Sequence, residues 1–154
     1  ECHELTTTMD LLPTFCALSG ATGPTKKIDG FDVQDLLFGK KDAKSPYQAL
    51  FYYRRRQLQA VRMGDWKYHL PLANTHPNWT TPKTTGKGRK GKLVNLHDDL
   101  RETTDVADKH PDVVKKINRL VAEMTARLGN NAKQGSEQRL ARTLDTSSPL
   151  VPGK

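Results

Sequence analysis

Gly86, Gly88 and Gly91 stand in the order G-x-G-x-x-G, and Gly86 through Lys92 also spell G-x-x-x-x-G-K. Both patterns suit a phosphate, because glycines let backbone N–H groups approach it closely and the lysine neutralises its charge. The chemistry needs more than the pattern. A nucleotide loop requires a hydroxyl after its lysine to hold magnesium, and Leu93 occupies that place. It also requires a strand before it and a helix after it, so that the helix N-terminus faces the phosphate. Here the run "KLVNL" follows the glycines and reads as a strand, which reverses the order. The glycines are expected to give slack to a loop.

The other reactive residue types are sparse. Cys2 and Cys16 have no matching C-x-x-C or H-x-H elsewhere, so neither a zinc site nor a disulfide framework is expected. Asn78-Trp79-Thr80 matches the glycosylation tripeptide, which matters only in a eukaryotic secretory pathway. Arg54, Arg55 and Arg56 form a basic run that could attract an anionic substrate, although solvated turn arginines explain it equally well.

Charge is unevenly spread over the 154 residues, whose formal net charge is +8. Residues 51 to 92 carry ten basic groups and one acidic group, while residues 1 to 50 carry five and seven. Such a segment could contact nucleic acid, and a small nucleic-acid-binding module using residues 54–92 is the alternative reading. Against it, Trp79 is the one aromatic side chain among the loop lysines, whereas base stacking needs aromatics interleaved with cations. No apolar run reaches the roughly 18 residues of a membrane-spanning helix, and no signal peptide is visible. Residue 1 is Glu rather than Met, so the chain is expected to begin inside a longer polypeptide.

The elements that would position any site follow from periodicity. In residues 5–20, Leu11, Leu12, Phe15 and Leu18 recur at helical spacing ahead of Gly20, which predicts a short helix packing its apolar stripe inward. Residues 21–46 read as a surface link with one helical turn at "FDVQDLLFG". "ALFYY" and "LQAVRM" read as strands, and Gly64-Asp65 joins the second to "WKYHL" as a hairpin, with Trp66, Tyr68 and Leu70 facing a core. Residues 71–92 are poor in apolar side chains and read as a long basic loop, followed by a strand at 92–96. From Pro111, the residues Val113, Val114, Ile117, Leu120, Val121, Met124 and Leu128 share one helical stripe that stops at Gly129. The expected fold is α+β: a small antiparallel sheet of about four strands packed against this C-terminal helix. Residues 1–129 form the folded unit, and 130–154 read as a loosely attached tail.

The order of these parts resembles the C-terminal end of the sulfatase family, with an arylsulfatase-like flavour. The likeness is carried by "DLLPTFCALSG", "IDGFDVQDLL", "LFYY", "AVRMGDWKYHL" and "LVNLHDDLRETTDVADKHPDVVKKINRL", and it covers about residues 5 to 129. Val94 and Leu100 depart from it, standing where the family often has an aromatic residue and a proline. The resemblance implies a parent sulfuric ester hydrolase acting through a formylglycine made within C/S-x-P-x-R and a calcium held by Asp and Asn. Neither is expected in this chain, which has no such motif; the pair Asp98-Asp99 reads as solvated rather than metal-binding. The implied partners are an N-terminal catalytic domain of the same polypeptide and a sulfated substrate, with no nucleic acid and no membrane. Substrate-binding candidates carried over by position are His76, in the loop after the "WKYH" strand, and His69. The parent is implied to be exported. The surface around residues 10–19 is expected to be an apolar patch that the catalytic domain covers.

Overall fold

The computed structural model describes residues 2–75, 86–131 and 133–139. Thr7 opens the chain's first turn: its backbone N–H donates to Asp10 Oδ2 (2.6 Å) and its hydroxyl accepts from Met9 N (3.1 Å). This reciprocal cap leads through a 3-10 turn into α1 (Leu11–Ser19), where Pro13 falls in the first turn and its missing N–H leaves no hydrogen bond unmade. Gly20, at φ 68°, ends the helix in the left-handed conformation. The single turn α2 (Gln34–Leu37) follows in the link.

Strands β1 (Leu50–Arg54), β2 (Gln57–Met63) and β3 (Trp66–His69) run antiparallel. Arg55 and Gly64 adopt positive φ in the two turns between them. β4 (Leu72–Thr75) and β5 (Gly86–Arg89) form a separate two-stranded ladder, and β6 (Lys92–Asn95) returns to pair with β3. The main sheet therefore has the order β1-β2-β3-β6, as its four apolar runs imply. Where a loop from 71 to 92 was expected, its two flanks pair as β4 and β5. Their strand character was hidden because the ladder rests on backbone pairing rather than on alternating apolar side chains. Gly88 lets the two backbones close: a Cβ there would lie 2.3 Å from the carbonyl oxygen of Ala73.

Helix α3 (Pro111–Leu128) crosses the sheet, with Pro111 at its first turn and Arg127 in its last. Phe51, Val61, Tyr68 and Leu93 lie in one cross-strand row. Val113, Ile117 and Leu120 of α3 join Val61, Tyr68 and Leu93 in the core. Each of those three helix side chains contributes roughly 1.5–3 kcal/mol of gross burial free energy. Trp66 packs over the His110 ring at 4.6 Å and so fixes the start of α3 against β3. After α3, β7 (Gly129–Asn130) and β8 (Lys133–Gln134) turn the chain back.

Two expectations need correction. The apolar stripe of α1 is not in this core: Leu12 and Phe15 are 53% and 58% exposed. Helical spacing shows only that something covers a stripe, not that the same lobe does. The described part of the tail is also tied down, through Asn131 N to Arg56 O (2.6 Å) and Arg127 to Glu137 (2.8 Å).

Candidate functional site

The face of the sheet away from α3 carries the charged residues. Alternation along β3 sends Tyr68 into the core and turns Lys67 and His69 outward, where register sets them beside Arg62, Ala60 and Lys92. Glu102 reaches over this face from the loop after β6. Lys67 Nζ donates to Glu102 Oε1 at 2.5 Å, His69 Nε2 lies 2.5 Å from Oε2, and Lys92 Nζ donates to the Glu102 carbonyl. Lys67 also stands over the Tyr52 ring at 5.2 Å. Glu102 itself adopts φ 55°, a left-handed conformation that glycine or asparagine adopts more readily. Burial pushes its carboxyl up, but the hydrogen bonds from Lys67 and His69 outweigh that and hold it below the ordinary range.

Because a carboxylate only accepts, the proton of His69 sits on Nε2. Neutral His69 then has only Nδ1 to present, as an acceptor. It can donate to a second anion only as an imidazolium, with Glu102 as its counter-ion.

A second cluster anchors the N-terminal segment. Asp10 is buried and accepts from Phe31 N (2.9 Å), Thr7 N and the Tyr47 hydroxyl. Burial, reinforced by the hydrogen bond to Asp10, pushes the Tyr47 phenol up to about 12. Thr14, fully buried, accepts from Val33 N at 3.0 Å. Gly30 is required between them, since a Cβ there would lie 2.0 Å from Met9 O. The stretches "DLLPT" and "DGFDV" are thus two halves of one clamp.

The candidates from sequence are scattered. His69 belongs to the Glu102 cluster; His76 and Asn78 lie outside the described residues. Asp98 accepts from Asn95 Nδ2 (2.6 Å), and Asp99 accepts from Thr104 N (2.8 Å) and the Thr103 hydroxyl, so both brace the loop after β6. The glycine run lies in β5 and the turn into β6, with no helix after it; a Cβ at Gly91 would meet the Tyr68 hydroxyl at 2.4 Å. Nor do the described cations of 54–92 form one stripe. Lys67 and Lys92 turn to Glu102, whereas Arg89 donates to the carbonyls of Gln59 (2.5 Å) and Leu70 (3.3 Å), where burial lowers its pKa. Glu102 is the residue that the sequence reading missed. Its signal was faint: an acidic residue in a polar run, 35 positions from Lys67.

Comparison with known proteins settles the family. The model for the "C-terminal region of aryl-sulfatase" matches residues 45–149. The chain belongs to the sulfatase family. Human arylsulfatase A is 47% identical over 72 residues, covering 44% of this chain and 14% of that protein. The arylsulfatase of Hemicentrotus pulcherrimus is 40% identical over 68 residues, 44% of this chain and 12% of that protein. A Bacteroides thetaiotaomicron protein solved in work on the metabolism of multiple glycosaminoglycans superposes with a TM-score of 0.57 at 27% identity, covering 77% of this chain and 24% of that one. The PsFucS1 sulfatase of a Pseudoalteromonas species shares the fold, with a TM-score of 0.56. The chain spans about a quarter of these solved proteins and less of the curated relatives. It corresponds to the C-terminal region of arylsulfatase-like sulfatases, and the nucleic-acid alternative finds no support.

Proposed function

We propose that this chain is the C-terminal lobe of an arylsulfatase-type sulfuric ester hydrolase, inactive alone, whose nucleophile and metal are held by a catalytic domain of the same polypeptide. One observation supports this most directly: the lobe's motif carboxylates are committed to contacts within the lobe itself. Asp10, Asp99 and Glu102 are engaged as described, and Asp105 accepts from Leu93 N and Ala107 N, both at 3.0 Å. Among the described residues no three His, Cys, Asp or Glu side chains converge on a point that could hold a metal ion. The described residues therefore do not fit the family's calcium, whose coordination takes six to eight oxygens. They do not fit formylglycine either: Cys2 precedes His3-Glu4-Leu5 and Cys16 precedes Ala17-Leu18-Ser19, so neither lies in C-x-P-x-R.

The lobe's part in the reaction is to complete the mouth of the pocket. His76, carried between β4 and β5, is the substrate-facing candidate, donating to an ester or sulfate oxygen of the sulfated substrate. His69 is the second.

The test is hydrolysis of a chromogenic aryl sulfate by the chain alone and by the same chain joined to its catalytic domain. Turnover only in the joined protein is expected, with His76→Ala lowering kcat/KM by about tenfold or more, the loss of one hydrogen bond to a charged group. Turnover by the isolated chain overturns the proposal.

A further inference from the structure

Strand β1 is an edge of the main sheet: β2 lies on one side of it, and among the described residues no strand lies on the other. Arg54 and Gln57 pair across a two-residue turn. Alternation from that pair points the N–H and C=O of Phe51 and Tyr53 away from β2. At the opposite edge the chain itself meets the same need: Leu93 N donates to Asp105 Oδ1 (3.0 Å), and Leu93 O accepts from Val106 N (2.9 Å). An open edge is a template for another strand, and folded chains generally cover it. A groove of about 480 Å³ runs beside β1, between the link and α3. Phe51 and Tyr53 of β1, Leu120, Met124 and Leu128 of α3, and Ile28 of the link give it an apolar lining. Outward backbone groups next to an apolar groove suit an extended segment with apolar residues at alternate positions.

The path of the chain after α3 identifies that segment. Ser136 N and Glu137 N donate to the carbonyls of Ala126 (3.0 Å) and Arg127 (2.8 Å), so the chain folds back along the last turn of α3. Glu137 then pairs with Lys27 at 3.0 Å, and Arg139 donates to the Lys27 carbonyl. Lys27 lines the groove, so the chain is delivered to its mouth. Residues 140–154 follow, with Arg142, Asp145 and Lys154 their only charged side chains. Extended, they reach up to about 50 Å, whereas a strand the length of β1 takes about 17 Å. Leu140, Leu144 and Leu150 occupy even positions, which share one face of an extended strand. Pro149 and Pro152 are tolerated on a strand that becomes the outermost one. The family match also runs past Arg139, to residue 149.

We propose that the segment 140–154 of this same chain lies along β1, bonding the N–H and C=O of Phe51 and Tyr53 and placing Leu144 and Leu150 in the groove. It extends the main sheet by one strand and locks the end of the chain onto the link. The docking stands apart from the sulfatase reading, since it needs neither a substrate nor a catalytic domain.

Amide hydrogen exchange, followed residue by residue at several protein concentrations, tests it. Three chains are compared: the whole chain, the whole chain with Leu144→Ser and Leu150→Ser, and a chain ended after Arg139. The amides of Phe51 and Tyr53 are expected to exchange about tenfold or more faster in the two altered chains, while those of Val61 and Tyr68, paired in the middle of the sheet, keep their rates. The serine variant retains the rest of the segment and carries the comparison if the shortened chain does not fold. Unprotected Phe51 and Tyr53 amides in the whole chain, or protection that the serine changes leave intact, overturn the proposal. Protection that rises with protein concentration overturns it as well, because it assigns the edge of β1 to a second copy.

Discussion

Lys67 Nζ and Glu102 Oε1 are 2.5 Å apart, although 35 residues separate them in the chain. The contact pins the loop after β6 onto the outer face of β3. It does so where the sheet would otherwise leave Lys67, His69 and Lys92 crowded together without a counter-ion, so the carboxylate does structural work on a face that bears a candidate site.

Glu102→Ala removes the acceptor of two side chains at once. The carboxylate is 27% exposed, so solvent screens the pair, and the expected loss is about 1–2 kcal/mol. Urea unfolding of Glu102→Ala, Lys67→Met and the double variant measures it. A coupling energy below about 0.3 kcal/mol in that cycle shows the pair to be decorative.

The acid limb of stability has a defined sign. Glu102 titrates lower when folded than its ordinary 4.5, so its contribution is complete above that value and is lost as pH falls through the folded pKa. Asp99 is lowered too, chiefly by the Thr104 N–H, and adds to the same limb. The difference in unfolding free energy between wild type and Glu102→Gln is expected to be flat from about pH 5 to 7 and to shrink below about 4.5. A difference that grows on acidification contradicts the assignment.

The elements that bury their own side chains were legible in the sequence. Val113, Ile117 and Leu120 repeat with the helical period, and Gly64-Asp65 separates two β-prone runs, because burial and turn chemistry each leave a local pattern. Glu102 and Asp10 were not legible, since a carboxylate's partners lie wherever the fold brings them. The pairing of β4 with β5 was equally hidden, because Asn74, Lys87 and Gly88 show no alternation of polarity. The stripe of α1 was legible as a stripe, but what it faces lay beyond the reach of a periodicity argument. The family likeness rested on stretches that proved to be clamps: "DLLPT" with "DGFDV", and Lys67 with Glu102.

Gly30→Ala tests the first of those clamps. A methyl group 2.0 Å from Met9 O has backbone as its obstacle, so the link must move and the N–H of Phe31 is drawn away from Asp10. The expected loss is about 1–3 kcal/mol. Gly91→Ala meets the Tyr68 side chain instead, which can rotate aside more cheaply. Thermal melts that rank Gly91→Ala as the more damaging of the two refute this account of the clamp.

The uncovered face of α1 has a consequence for the isolated chain. Leu11, Leu12, Phe15 and Leu18 stand 44–58% exposed on one short helix, with Phe31, Leu37 and Phe38 also open to solvent nearby in the chain. Contiguous apolar surface of this kind drives association or waits for a partner domain. The chain is expected to bind a hydrophobic dye and to self-associate as its concentration rises. Phe15→Lys with Leu18→Lys is expected to reduce both while changing stability by less than about 0.5 kcal/mol, because neither side chain belongs to the core beneath α3. Sedimentation of the wild type as a concentration-independent monomer without dye binding rules out an exposed docking face; a large loss of stability in the double variant instead places α1 in a core of its own.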